Sequence, residues 1–132
     1  MTAATNIYHD DTDDISEYTG EEPFDNEVSA LSMRHMGEIL LKGLGIIRNE
    51  KDILSALDKL NILECANEIG KARKVLASAM LLSADARKES RGAHFREDHP
   101  DTDDEFRKVT AAEYHDSTVR ISFENIPERR SE

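Results

Sequence analysis

The sequence predicts a mainly α fold, a three-helix bundle of spectrin-repeat-like type with a C-terminal β-hairpin. Three observations carry that prediction. Apolar residues recur at three- and four-residue steps in three successive stretches between residues 27 and 90. Two runs rich in β-type residues, 106–114 and 118–126, flank a short polar turn. The length of 132 residues suits one domain rather than two.

The first helix is expected over residues 27–42, with Val28, Leu31, His35, Ile39 and Leu40 as its apolar stripe and Met36 widening it. Asn26 or Asp25 can cap its start, Glu27 suits the positive end of the dipole, and Gly43 with Gly45 supplies a stop. A shorter second helix is expected over 49–60. Its stripe is Ile53, Leu54, Leu57 and Leu60, its first turn holds Glu50 and Asp52, and Asn61 marks a break. The third helix should be the longest, 62–90. Its face reads as Ile62, Ala66, Ile69, Ala72, Arg73, Leu76, Ala79, Met80, Ser83 and Ala86, with Gly92 as terminator. The alanines would admit another helix closely. Gly70, unfavourable by about 1 kcal/mol relative to alanine in a helix interior, points to close packing there.

The bundle is thus expected to occupy residues 27–92, and an Arg-, His- and Asp-rich loop 93–105, interrupted by Pro100. The hairpin occupies 106–127, with His115, Asp116 and Ser117 as its turn and Pro127 as its end, and residues 128–132 are a polar tail. Three amphipathic helices make a thin core, and a two-stranded hairpin is marginal unless it packs on something. The body therefore reads as part of a larger assembly.

Charge is unevenly placed. The chain carries 17 basic and 28 acidic side chains, a net of −11. Nine of the acids fall in residues 1–27, which hold no Lys or Arg, so the remaining 105 residues are near neutral at −2. Residues 1–26 read as an acidic tail, disordered alone or bound to a partner. It is either a solvating tail or an arm anchored by Ile7, Tyr8, Ile15, Tyr18 and Phe24. The net charge argues against nucleic acid and against an anionic membrane surface as partners. Apolar runs are too short for direct membrane insertion, and residues 1–8 lack signal-peptide features. A cytoplasmic setting is the expectation. The single cysteine, Cys65, excludes an intrachain disulfide and a cysteine-rich zinc site.

No residue is assigned as catalytic, cofactor-binding or metal-ligating. Gly43-Leu44-Gly45 lacks the third glycine of a phosphate loop and follows no recognisable strand. Cys65, placed on a helix beside Glu64 and Ala66, reads as an inert buried thiol. Asp98, His99, Asp101, Asp103, Asp104 and Glu105 crowd one loop, but Asp101-x-Asp103 lacks the glycine and glutamate of a calcium loop. A solvated acidic loop is the reading. The most specific stretch is 87–100, within which Glu89, Arg91, His94, Arg96 and Asp98 read as a structural or docking network. Arg91 and Arg96 each offer a planar fork to a carboxylate or phosphate. The plainer alternative is a turn whose Arg and His side chains bond backbone carbonyls and neighbouring carboxylates.

The pattern Glu89-Ser90-Arg91-Gly92-Ala93-His94-x-Arg96-x-Asp98-x-Pro100, followed by Asp103-Asp104-Glu105, closely resembles one in the C-terminal domain of succinate dehydrogenase and fumarate reductase flavoproteins. L-aspartate oxidase and adenylylsulfate reductase alpha chains are relatives. Upstream, Met36-Gly37 and Gly45-Ile46-Ile47-Arg48-Asn49 resemble that family's helix and connector; downstream, Arg107-Lys108-Val109-Thr110 and Val119-Arg120-Ile121-Ser122-Phe123 resemble its closing strands. The resemblance implies a non-catalytic helical C-terminal domain or small subunit of a flavin-dependent oxidoreductase. It would complete and stabilise a separate FAD-containing chain, with FAD in that partner or in a missing domain and none in this chain. An iron–sulfur subunit is implied as a further partner in electron transfer. The family's catalytic Arg and His residues lie upstream of this region, so none is carried over. The alternative is an interaction module that keeps the fold without redox chemistry and binds a partner through its acidic tail.

Overall fold

The computed structural model describes residues 27–128. The acidic segment 1–26, with the expected caps Asp25 and Asn26, lies outside the described residues, as does the chain after Glu128. Three helices, α1 (Glu27–Gly43), α2 (Glu50–Ile62) and α3 (Glu68–Ala86), precede a 3-10 turn at Asp104–Phe106. An antiparallel hairpin of β1 (Val109–His115) and β2 (Thr118–Glu124) completes the fold. This is the three-helix arrangement with a terminal hairpin that the sequence predicts.

The core is small. Met36 of α1, Ile53, Ala56 and Leu60 of α2, and Ala77, Leu81 and Ala84 of α3 are its buried apolar residues. Burying an Ile or Leu side chain stabilises by about 1.5–3 kcal/mol, so Ile53, Leu60 and Leu81, all without exposed surface, carry most of it. The end of α1 can approach the other helices only because Gly43 has no side chain. A Cβ there would lie 2.7 Å from both Ala56 Cβ and a Leu81 methyl. Several residues of the predicted stripes, among them Leu31, His35 and Leu54, face solvent instead.

α2 begins where expected, with the Asn49 side chain accepting the Asp52 N–H at 2.8 Å. At its far end Lys74 Nζ donates to the carbonyls of Asn61 and Leu63, at 2.9 and 2.8 Å.

The third helix departs from prediction in three ways. It begins at Glu68 rather than 62, because Asn67 caps it by accepting the Gly70 N–H at 2.8 Å. Residues 63–67 are a connector, so Cys65 lies there half-buried and not on a helix. A Cβ on Gly70 would meet Cys65 Cβ at 3.1 Å, so this glycine packs against its own connector and not against a neighbouring helix.

It also ends at Ala86, not near 90. Arg87 leaves helical geometry at ψ 89°, while the Arg96 guanidinium takes the carbonyls of Ala84 and Asp85. Gly92 is therefore no terminator. It sits at φ 58° in a tight turn closed by reciprocal backbone bonds between Arg91 and His94.

Finally, the buried face is Ala77, Leu81 and Ala84, one residue on from the predicted Leu76, Met80 and Ser83, or about 100° round the helix. Leu76 is 62% and Met80 48% exposed. The first two residues of the predicted stripe, Ile62 and Ala66, precede the helix altogether.

In the hairpin, Val109 pairs with Glu124 and His115 with Thr118. His115 belongs to β1, and Asp116 and Ser117 alone make the turn, at φ 49° and 59°. Two residues of positive φ match the twist of the strands they join. Phe106, predicted to open the first strand, lies in the 3-10 turn and packs edge-on against Phe123 at 5.2 Å.

Candidate functional site

Residues 87–103 link α3 to the hairpin with almost no regular structure, so their backbone groups need other partners. Ser90 supplies several. Its hydroxyl accepts from the Arg96 N–H at 2.9 Å and donates to the His99 carbonyl at 2.8 Å. The Ser90 carbonyl accepts from Thr102 Oγ1, and its N–H donates to the Asp101 carbonyl. The α1–α2 connector pairs alongside: Arg48 N–H donates to the Phe95 carbonyl at 3.0 Å, and Glu97 N–H to the Arg48 carbonyl at 2.9 Å.

Glu89 is the centre of this region and has no exposed surface. Its Oε1 accepts from Arg87 Nη1 at 2.6 Å and Arg91 Nε at 2.8 Å; its Oε2 accepts from Arg91 Nη2 at 3.2 Å and the Asp103 N–H at 2.8 Å. Burial opposes the charged form, but the bonds from Arg91, Asp103 and Arg87 outweigh it and hold the carboxyl at about 2. A buried carboxylate with four N–H donors is satisfied; one stripped of them would not be.

Arg87 turns that charge toward the hairpin. Beyond Glu89 it donates to the carbonyls of Phe106 at 2.7 Å and Lys108 at 2.6 Å, and to Thr110 Oγ1 from both Nε and Nη2. Its guanidinium also lies over the Phe123 ring, 5.3 Å from the centroid. One side chain thus pins the hairpin to the end of α3, which removes the marginality of an isolated two-stranded ribbon.

Arg96 and Asp98 form the second pair. The Arg96 side chain is fully buried, with its fork on both Asp98 oxygens and its remaining amino group on the carbonyls of Ala84 and Asp85. Asp98 Oδ2 also accepts the Glu50 N–H at the start of α2. The Arg96 bonds come first in holding the Asp98 carboxyl well below the usual carboxylate range, with burial opposing.

His94 lies between two groups that fix its tautomer. Nε2 is 2.9 Å from the Arg87 carbonyl, which can only accept, so Nε2 carries the hydrogen; Nδ1 accepts from Arg48 Nη1 at 3.1 Å. Burial lowers its pKa first of all, and the cations Arg48, Arg96 and Arg87 add to that.

The structure therefore joins Glu89 to Arg91 and Arg96 to Asp98 through their side chains, whereas His94 meets Arg91 through the backbone alone and turns its ring to Arg48 and the Arg87 carbonyl. Arg87, Ser90 and Arg48 are the side chains that the sequence reading did not single out. The signal for Arg87 was its position at a helix end, where cations favour the last carbonyls. Among the described residues no group of three His, Cys, Asp or Glu side chains could hold a metal ion, and no helix is long and apolar enough to cross a membrane.

Residues 63–131 match the family described as fumarate reductase flavoprotein C-term. L-aspartate oxidase of Pyrococcus furiosus is 44% identical over 71 residues, 54% of this chain and 14% of that protein. An uncharacterized FAD-dependent oxidoreductase of Methanocaldococcus jannaschii is 38% identical over 78 residues, 48% of this chain and again 14% of its relative. Among solved structures, a variant of E. coli quinol fumarate reductase FrdA superposes with a TM-score of 0.65 at 27% identity, covering 79% of this chain and 22% of that one. The chain therefore spans about a seventh of the length of the aspartate oxidase and the Methanocaldococcus protein, and about a fifth of FrdA.

Proposed function

The chain belongs to the fumarate reductase flavoprotein C-terminal family, and from that premise we propose that it is a non-catalytic domain or small subunit completing and stabilising a separate FAD-containing chain. The whole would be a flavin-dependent oxidoreductase of succinate dehydrogenase/fumarate reductase type. An iron–sulfur subunit would be a further partner in electron transfer, and a cytoplasmic setting is part of the same proposal.

One observation carries this reading. Glu89, Arg91, His94, Arg96 and Asp98 all have their partners within the fold. Groups engaged in this way hold a shape and are not presented to a substrate. The glycines point the same way. Gly43, in the stretch that lacks the third glycine of a phosphate loop, faces Ala56 and Leu81 and serves helix packing. In this reading FAD is held by the partner and not by this chain.

Native purification through a tag on this chain tests the proposal. We expect flavin absorbance in the complex, near one FAD per chain, which leaves with a second polypeptide when the complex is dissociated. Stoichiometric FAD kept by this chain alone after gel filtration would overturn the proposal, as would a native complex without flavin.

A further inference from the structure

The parallel pairing of Arg48 with Arg96 sets the residues before them, Ile47 and Phe95, side by side. Arg96 is fully buried, whereas Ile47 is 58% and Phe95 41% exposed, and the neighbouring Ile46 is 89% exposed. At this pairing the Arg96 charge thus faces inward and the apolar Ile47 and Phe95 outward. We infer that the ridge of Ile46, Ile47 and Phe95 is the surface that seats against the FAD-containing chain, an inference that rests on the function proposed above.

The ridge is rigid. Arg48 Nε donates to the Gly45 carbonyl at 3.1 Å, and the Phe95 carbonyl is held by the Arg48 N–H, so the backbone on both sides is fixed before any partner arrives. A preorganised apolar surface forfeits little conformational entropy on association. An aromatic beside two branched aliphatics also has the composition of an interface anchor.

Its rivals carry charge. The groove between α1 and α3, with Met33, Leu76 and Met80, is crossed by Arg73, which bonds Met33 Sδ. The groove between α1 and α2 is rimmed by Glu38, Lys42, Lys59 and Glu64. Covering either would desolvate ions, which is costly unless each is paired again. Ile46, Ile47 and Phe95 and the exposed Gly92 and Ala93 in the next turn carry none, and the exposed Glu97 on the paired segment already accepts from Asn49 Nδ2 at 2.6 Å.

The occupant follows from the comparisons. The aspartate oxidase relative is about seven times the length of the segment it shares with this chain, so a module of this kind is attached there to a body much larger than itself. Phe95 lies inside the matched family segment. An apolar socket on the FAD-containing chain is the complement that this ridge requires.

The full chain, purified with its natural partner through a tag, decides the matter. FAD per chain is measured after gel filtration, and the partner is identified by mass spectrometry, for the wild type and for Ile46→Asp, Ile47→Asp and Leu76→Asp. Circular dichroism confirms that each variant keeps its helices; Ile46 is so exposed that its variant serves if Ile47→Asp does not fold. We expect retained FAD to fall at least tenfold in the ridge variants and to hold in Leu76→Asp. Equal retention in folded ridge variants, or loss confined to Leu76→Asp, overturns the ridge and leaves the proposed function standing. A wild-type chain that brings down no FAD-containing protein overturns both.

Discussion

Arg96 and Asp98 are joined by two parallel hydrogen bonds, Nε to Oδ1 at 2.9 Å and Nη2 to Oδ2 at 2.7 Å, and the pair bridges two helix ends of opposite polarity. The guanidinium sits on the last carbonyls of α3, and the carboxylate on the Glu50 N–H that opens α2. Each ion therefore faces the dipole end it favours, worth about 0.3–1 kcal/mol at each terminus. The larger part must come from the hydrogen bonds themselves.

Arg96→Lys keeps the charge and loses the fork. Lysine cannot bond both Asp98 oxygens and both α3 carbonyls at once. Hydrogen bonds to charged groups contribute about 1.5–3 kcal/mol each, so urea unfolding should show a loss of about 3 kcal/mol or more. Arg91→Lys should shift the midpoint less, because Glu89 keeps its bonds from Arg87 and the Asp103 N–H. Arg34→Lys, at an exposed pair with Glu38, should be without measurable effect. Similar midpoints for all three variants would show that the fork geometry is immaterial.

Glu89→Ala removes a carboxylate shared by two arginines. Arg87, whose side chain is only 12% exposed, would be left without its ionic partner. Removing one member of a buried pair typically destabilises by about 3–5 kcal/mol. Because Arg87 also holds Phe106, Lys108 and Thr110, the hairpin amides should lose protection from hydrogen exchange before those of α2. Loss confined to the helices would contradict this coupling.

Acidification should destabilise the fold in two stages. His94 has its pKa lowered in the folded state, so the unfolded chain takes up the proton first. Its contribution is whole above about pH 6.5 and declines as pH falls below that value. Glu89, held at about 2, and Asp98 are also lowered. Their contribution is whole above the unfolded carboxylate range of about 4 and is lost as pH falls through it toward the folded values. Thermal midpoints measured from pH 8 to 3 should therefore show a shallow decline and then a steep one. His94→Gln should abolish the first; an unchanged shallow decline in that variant would assign it to another group.

The elements that were legible in the sequence are those whose determinants are local. Asn49, Glu50 and Asp52 announce the start of α2 within four residues, and the polar turn between Tyr114 and Val119 announces the hairpin. The end of α3 is set from outside, by the Arg96 guanidinium acting on carbonyls 11 and 12 positions earlier, so no local pattern marks it. The face of α3 is not legible because alanines give a weak phase; Ala77 and Ala84 face the core while Ala72 does not. Within the site, Arg91 and Arg96 announce themselves by the carboxylates two residues away. Arg87 does not, since its hairpin partners lie 19 to 23 residues downstream.

Two glycines of α1 should respond oppositely to the same substitution. Gly37 has nothing within 4 Å of where a Cβ would stand. Gly37→Ala therefore only restricts the unfolded chain and improves helix propensity, a gain of about 0.5–1 kcal/mol. At Gly43 the new methyl would lie 2.7 Å from Ala56 Cβ and from a Leu81 methyl, nearer than any carbon contact allows. Leu81 is itself fully buried and has little room to turn, so α1 must shift away from the core. Overpacking of this kind costs about 1–3 kcal/mol. Ala56→Gly in the Gly43→Ala background removes one of the two obstacles, and the double variant should unfold at a higher urea concentration than the summed single effects predict. Additive effects would mean that the bundle absorbs the methyl elsewhere and that the close approach of α1 to α2 at Ala56 is not what selects glycine at position 43.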